Sequence, residues 1–392
     1  TGANKRFKVN VEAFYQRVLS LLVQDLDIID EIKNDDKNIA NQSRYISAAS
    51  YFPVYRNTET QYFSSGEAYF IKIVEELKKA KEFIFIETFI IQEGLMWNTV
   101  LNILEEKARH GVDVRVMYDD AGCFTKLPHR YYEKLRKMGI KCYVFNPFTP
   151  LLEIKMNNRD HRKITVIDGH TAFTGGINFA DEYINAYEKY GHWKDAAILV
   201  KGEAVWNMTI MFLQLWGYLS KDTGEYEKFK PCDMCEQLYD TDGFVQPYGD
   251  SPLDNEPVGK RTYINMISRA KDYVYIFTPY LILDYEMVDI MKLAAKSGVD
   301  IRIVTPHIPD KWYVFWVTQS YYEVLIEAGV KIYEYLPGFM HSKAFLSDDE
   351  IAVVGSINLD YRSLYFHFEC GVWLYKTQSI KAIKNDFIET FD

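Results

Sequence analysis

Cysteine is scarce in this 392-residue chain: five residues, Cys123, Cys142, Cys232, Cys235 and Cys370, odd in number and scattered. That pattern excludes a disulfide framework and fits a reducing compartment. Cys232 and Cys235 form a lone C-x-x-C with no second pair at zinc-ribbon spacing, so an incidental loop pair is favoured over a structural zinc. No metal and no cofactor are expected. Apolar runs of about 18 residues or more are also missing, which leaves no segment able to cross a bilayer. The opening Thr1-Gly2-Ala3 has neither a methionine nor a signal-peptide pattern, so further segments are expected upstream. A basic excess is lacking too. Lysine and arginine number 45 against 55 acidic residues, a formal charge of −10, which argues against a nucleic-acid partner. Any site for an anionic ligand must be a locally basic spot inside an acidic shell.

What is present is a large apolar content, 48%, and a length comfortable for two domains. The chain also repeats itself. Ala80-Lys81-Glu82 followed by FIFIETFII recurs as Ala270-Lys271-Asp272 followed by VYIFTPYLI. HGVDVRVMYDD recurs as SGVDIRIVTPH, YYEKLRKMGIKCYVF as YYEVLIEAGVKIYEY, HRKITVIDG as HSKAFLSDD, and GGINFAD as GSINLDY. A separation of 180 to 190 residues is too long for a solenoid and marks duplication of a whole domain.

In each half, strand-length apolar runs alternate with helical patterns such as SGEAYFIKIVEELKKAK. This predicts an α/β fold of two tandem domains, each a mostly parallel sheet flanked by helices. Ligands gather at the carboxyl ends of such strands, and a pseudo-twofold between the copies would join those ends in one shared site. The expected division is 1–50 as a helical segment, 51–222 as the first half, 223–259 as a linker rich in Asp, Pro and Gly, and 260–392 as the second half. Within the first segment, VEAFYQRVLSLLVQDLDIIDEI is predicted to be one amphipathic helix, either packed on the domains or leading to a membrane.

The chemistry concentrates in H-x-K-x4-D, which occurs twice: His161, Lys163, Asp168 and His341, Lys343, Asp348. An asparagine follows each histidine by 17 residues, Asn178 after Gly175-Gly176 and Asn358 after Gly355-Ser356. On a strand, His and Lys would share a face and Arg162 or Ser342 would project away. These residue types suit phosphoryl transfer without a metal. Lysines and asparagines can hold the phosphate oxygens. One neutral histidine can attack phosphorus, and a second, protonated, can release the leaving alkoxide. Such histidines need orienting carboxylates. Asp195 and Glu369 each precede a strand-like run in their own half, so each is expected to reach the histidine of that half. Asp168 and Asp348, at strand ends, are expected to tie down turns.

At these residues the chain resembles the phospholipase D superfamily, whose signature is the paired H-x-K-x4-D. NNRDHRKITVIDGHTAFTGGINFADEY, HWKDAAILVKGEAVW and GFMHSKAFLSDDEIAVVGSINLDYRS look like bacterial cardiolipin synthases, with similarity from about Tyr51 onward. The resemblance implies condensation of two phosphatidylglycerol molecules to cardiolipin and glycerol at the bacterial cytoplasmic membrane. It implies His161 as nucleophile and His341 as general acid, with Lys163, Asn178, Lys343 and Asn358 as partners. Asp195 and Glu369 fall where the family places its orienting carboxylates. Hydrolysis by the same machinery and a catalytically dead membrane scaffold are the alternatives, and oligomeric state is left open. Members of the family usually begin with two membrane helices and run on past the position of Asp392, so further segments are expected at both ends, and His367 stands where the family often has asparagine.

Secondary features divide between bland and functional readings. Lys155, Arg159, Arg162 and Lys163 make a basic run, either solvated or an anionic-headgroup funnel. FNPFTPLLEIKM and KWYVFWV are either core or a lip that meets the bilayer. His307 is a turn residue that could touch the headgroup. Glu87 interrupts a buried strand and requires a partner.

Overall fold

In a computed structural model, the described residues are 16–147, 157–221, 224–231 and 243–392, with isolated positions 9, 12, 13, 238, 239 and 241. Cys232, Cys235, Lys155 and most of FNPFTPLLEIKM lie outside them. Along the first half run β1 (Thr58–Phe63), β2 (Phe83–Thr88), β3 (Asp113–Asp119), β4 (Lys141–Phe145), β5 (Arg159–Asp160), β6 (Ile164–Ile167), β7 (Thr171–Gly175), β8 (His192–Lys194) and β9 (Ala197–Gly202). The second half carries β10 (Phe244–Asp250), β11 (Tyr273–Phe277), β12 (Asp300–Pro306), β13 (Lys331–Tyr335), β14 (Gly338–Met340), β15 (Ala344–Ser347), β16 (Ile351–Gly355) and β17 (His367–Tyr375).

The two sheets repeat one topology, β1-β9-β7-β6-β2-β3-β4 and β10-β17-β16-β15-β11-β12-β13. The two-domain α/β reading stands, but the sheets are mixed rather than mostly parallel. Along these two strand orders β2–β3–β4 and β11–β12–β13 pair in parallel and the other neighbours are antiparallel. The cause is a tight hairpin after each motif. Asp168 and Gly169 take φ of 51° and 69° between β6 and β7, and Asp348 and Asp349 take 53° and 59° between β15 and β16. An Asp-Gly pair between apolar runs is a hairpin signal that outranks the strand–helix alternation here. The two aspartates also fix the preceding turns. Asp168 accepts the backbone N–H groups of Lys81, Glu82 and Phe83 at 2.8 Å, and Asp348 accepts those of Lys271, Asp272 and Tyr273 at 2.8–3.0 Å.

Phe244–Asp250, part of the linker by composition, is an edge strand on β17, and the helix Val258–Arg269 begins before residue 260. The N-terminal apolar segment is not one helix. A 3-10 turn ends at Leu21, and Asp25 caps a new helix, Leu26–Asp35, followed by Lys37–Ser50 capped by Asp36. Ile28, Ile32, Ile39 and Ile46 are buried, and Ser43 donates to Gln246 while Trp373 donates to Gln42. This segment therefore packs on the second half. Among the described residues no helix is long and apolar enough to cross a membrane. The most apolar one, Val205–Ser220, is core: Trp206, Phe212 and Trp216 are buried, and Phe85 stacks on Phe212 at 4.6 Å.

β7 lies against β16 and β17, so the sheets meet along their central strands. Two short strands then cross over. β5 leaves the first half and pairs in parallel with β17, and β14 leaves the second and pairs in parallel with β8. This exchange is reciprocal, as an isologous contact between two like domains must be.

Candidate active site

Each exchanged strand runs directly into a motif. After β5 comes His161, whose N–H donates to Phe368 O at 3.0 Å; after β14 comes His341, whose N–H donates to Lys194 O at 2.7 Å. In a parallel ladder the next residue of the partner strand then lies beside the histidine. That residue is Glu369 for His161 and Asp195 for His341. His161 Nδ1 is 2.9 Å from Glu369 Oε1, and His341 Nδ1 is 2.6 Å from Asp195 Oδ2. The expected pairing within each half is thus corrected: every histidine is oriented by a carboxylate of the other half. The physical reason is strand exchange, a long-range pairing that no local pattern encodes.

Both carboxylates are fully buried and multiply held. Glu369 also accepts from Ser356 Oγ at 2.5 Å and Ser363 Oγ at 2.6 Å. Asp195 accepts from the Ala196 N–H at 2.8 Å and from Trp193 Nε1 at 3.4 Å. Ser356 stands where the first half has Gly176, at which a Cβ would come within 2.0 Å of Asp195 Oδ1. Gly175, at φ +155°, makes the turn that allows this approach. The two histidines accordingly have unlike surroundings. Around His161 are Phe89 at 5.1 Å and His367 at 5.5 Å between ring centroids. Around His341 are Trp193 at 5.1 Å, Tyr183 at 5.5 Å and Phe339 at 5.7 Å.

With Nδ1 committed to a carboxylate, Nε2 is the ring nitrogen left for chemistry. Burial pushes His161 down to about 3 against the upward pull of Glu369. Burial, reinforced by the Lys343 ammonium, lowers His341 to about 4 against Asp195. Burial works to raise the Glu369 carboxyl, but His161 and His367 outweigh it and hold the group ionised. Burial also brings Lys163 down to about 8 and Lys343 to about 7.

A cavity of about 620 Å³ is lined by His161, His341, Asn178 and Asn358, so one space receives residues of both motifs. Asn178 is fixed by the Ile90 N–H at 3.0 Å and donates to Tyr183 at 2.7 Å, while the Asn358 side-chain oxygen is buried without a partner. Lys163 and Lys343 are buried behind the histidines and do not line the cavity; each ammonium donates to the carbonyl of its own motif's histidine. The H-x-K stretches are irregular backbone between strands, not strand interior. Arg159 lines the cavity, held by Asn146 O at 2.9 Å. Arg162 does not. It points into the core, 2.7 Å from Glu87 and 3.2 Å from Asp160, with its guanidinium 5.7 Å over the Phe368 ring. This contact is the partner Glu87 requires, although burial pushes the Glu87 carboxyl well above the usual range against the pull of Arg162. His307 is exposed, bonded to Glu334 at 2.9 Å, and outside the cavity lining.

Among the described residues, one group has ligand atoms close enough for a metal: His161, His367 and Glu369, within 4.8 Å of one another. His161 and Glu369 of this group are already hydrogen-bonded to each other, while His367 Nδ1 stands 3.5 Å from Glu369 Oε1 and neither of its ring nitrogens is hydrogen-bonded among the described residues. The lining carries five basic side chains, Lys126, Arg159, Lys189, Lys311 and Arg362, against three acidic ones, Glu182, Asp310 and Asp360. In a chain of charge −10 this is the locally basic spot that an anionic ligand requires.

The family described as cardiolipin synthase, PLD-like domain, matches residues 73–216 and 263–391, one stretch per motif. The chain belongs to this family. It is 47% identical over 386 residues to an uncharacterized protein of Streptococcus mutans, covering 98% of this chain and 83% of that one. Against the cardiolipin synthase of Geobacillus thermodenitrificans it is 39% identical over 343 residues, 86% of this chain and 67% of that enzyme. Among solved structures it is similar to the phosphatidylserine synthase of Haemophilus influenzae, with a TM-score of 0.64 at 14% identity, covering 88% and 89% of the two chains. At that identity the likeness concerns the fold. Tyr183, Trp193, Ser356 and Ser363 are site residues that sequence reasoning missed. Trp193, two residues before Asp195, carried a signal: an aromatic beside a candidate carboxylate. Ser363 carried none.

Proposed function

We propose that this protein is a phosphatidyltransferase that joins two phosphatidylglycerol molecules into cardiolipin and glycerol through a phosphatidyl-histidine on His161. The observation that carries the reading is the crossed pair of histidine–carboxylate couples opening on one basic cavity. His161 Nε2, its Nδ1–H given to Glu369, attacks phosphorus of the first lipid. The bond from phosphorus to the glycerol oxygen breaks, and that oxygen takes a proton from His341 Nε2. His341 is neutral in the free site, and the bound phosphodiester anion together with Asp195 favours its protonated form. The hydroxyl of a second phosphatidylglycerol then returns a proton to His341 as its oxygen displaces His161 from phosphorus. Asn178, Asn358 and Arg159 are placed to meet the phosphate oxygens, and the lysine ammoniums add positive potential from behind.

Water competes with the second lipid for the same intermediate. Positioning of an acceptor hydroxyl can supply an effective molarity of about 10⁵ M or more, which outweighs the concentration of water. One phosphodiester is exchanged for another, so the reaction should run near equilibrium. With phosphatidylglycerol vesicles, cardiolipin and glycerol should appear in equal amounts, and added glycerol should reverse the reaction. Phosphatidic acid as the main product, insensitive to glycerol, would overturn the reading in favour of hydrolysis. The family assignment supports the synthetic direction.

The lysines give a pH dependence. Their pKa values are lowered to about 8 and about 7, so both cationic forms that attract phosphate are complete only about a unit below 7, Lys343 loses its charge as pH rises through 7, and Lys163 follows through 8. A profile of kcat/KM should therefore fall between about pH 7 and 8, and Lys343→Arg should move this limb upward because a guanidinium stays charged. A limb unmoved by Lys343→Arg would assign it to another group.

A further inference from the structure

The helix Trp312–Ser320 opens with six consecutive apolar residues, Trp312 to Val317, yet only Thr318 is buried. Trp312, Tyr313 and Trp316 are 62%, 54% and 65% exposed, and the Trp312 and Trp316 rings meet edge to face at 4.7 Å. This is not core packing. Lys311 and Val314, on the same segment, line the active-site cavity. Across the mouth, Tyr361 is a lining residue 47% exposed, and Phe124, 61% exposed, follows the helix that supplies the lining residue Ala121. Exposed aromatics on three elements of both halves thus belong to, or lie within three residues of, the lining of one cavity.

We propose that this rim is a bilayer-docking surface, with Trp312 and Trp316 entering the boundary between headgroups and acyl chains. Residue type argues for a lipid interface: Trp and Tyr combine an apolar body with a polar edge and favour that boundary. Charge argues for an anionic one. The chain carries −10, so an anionic bilayer repels most of its surface, whereas the cavity behind this rim is lined by five basic side chains against three acidic. Continuity with the cavity completes the case. A headgroup lifted from a membrane seated on this rim would pass directly to His161 and His341. The inference rests on the lipid phosphodiester reading of the site.

The test is the Trp312→Ser, Trp316→Ser double variant, whose exposed positions leave the fold intact as read by circular dichroism. Binding to vesicles of phosphatidylcholine and phosphatidylglycerol should weaken by roughly tenfold or more, since two interfacial aromatics are lost. Fluorescence quenching by brominated lipid should fall with it, while turnover of monomeric dihexanoyl phosphatidylglycerol stays unchanged. Unaltered vesicle binding would overturn the proposal. So would a wild-type protein that is dimeric without lipid and a double variant that is monomeric, which would make the face a contact between copies. If the monomeric lipid is not turned over by the wild type while vesicle binding still depends on the tryptophans, the catalytic reading fails and the docking surface stands.

Discussion

Replacing Glu369 by Gln should abolish the covalent step with every substrate, while replacing Asp195 by Asn should slow it with phosphatidylglycerol, spare it with a leaving group that needs no proton, and stall transfer to the acceptor. The prediction follows from the crossed bonds, His161 to Glu369 and His341 to Asp195. An amide at position 369 would present the wrong polarity to His161 Nδ1 in half of its orientations and removes the charge that holds the tautomer. Loss of such a carboxylate costs on the order of 10³- to 10⁴-fold in rate. The Asp195→Asn substitution weakens proton donation, worth roughly 10²- to 10⁴-fold, and its effect should shrink with a leaving group that needs no proton. Had each carboxylate served the histidine of its own half, the two phenotypes would be exchanged. Rapid-quench measurement of the adduct and of turnover in both variants separates the two arrangements.

The histidines should divide in the same way, with effects of similar size. His161→Ala should form no phosphatidyl-enzyme with any substrate. His341→Ala should form one from a phosphatidyl ester with a good leaving group, such as p-nitrophenol, and then keep it, because the incoming hydroxyl has no base to take its proton. An adduct that survives in the His161 variant and never forms in the His341 variant would reverse the roles. The unlike surroundings of the two rings, a serine-held glutamate with His367 on one side and an aromatic box of Trp193, Tyr183 and Phe339 on the other, are the structural basis for unequal roles.

Much of this site is legible in the primary structure because its chemistry is local. His161, Lys163 and Asn178 recur as His341, Lys343 and Asn358 at one spacing, and duplication makes coincidence a poor explanation. Geometry that depends on distant strands is not legible. The partners of Asp195 and Glu369 are set by β5 on β17 and β14 on β8, pairings of two or three residues between segments about 150 to 200 apart. Strand alternation placed Arg162 on the face opposite His161, but it could not say that the opposite face is the core, where Glu87 waits. The antiparallel sheet interior was readable in Asp168-Gly169, a hairpin pair that the helix–strand alternation overshadowed. His307 and Arg162 lie outside the cavity lining for a simpler reason, since a charged residue near a motif in sequence is as easily turned away from it, whereas Arg159 of the same basic run lines the cavity.

The central claim is that two halves complete one site, and the glycerol burst measures it most directly. In a single turnover the enzyme should release one glycerol per chain as one phosphatidyl group is bound, with peptide mapping placing that group on His161. Two glycerols per chain, or an adduct on His341, would contradict it.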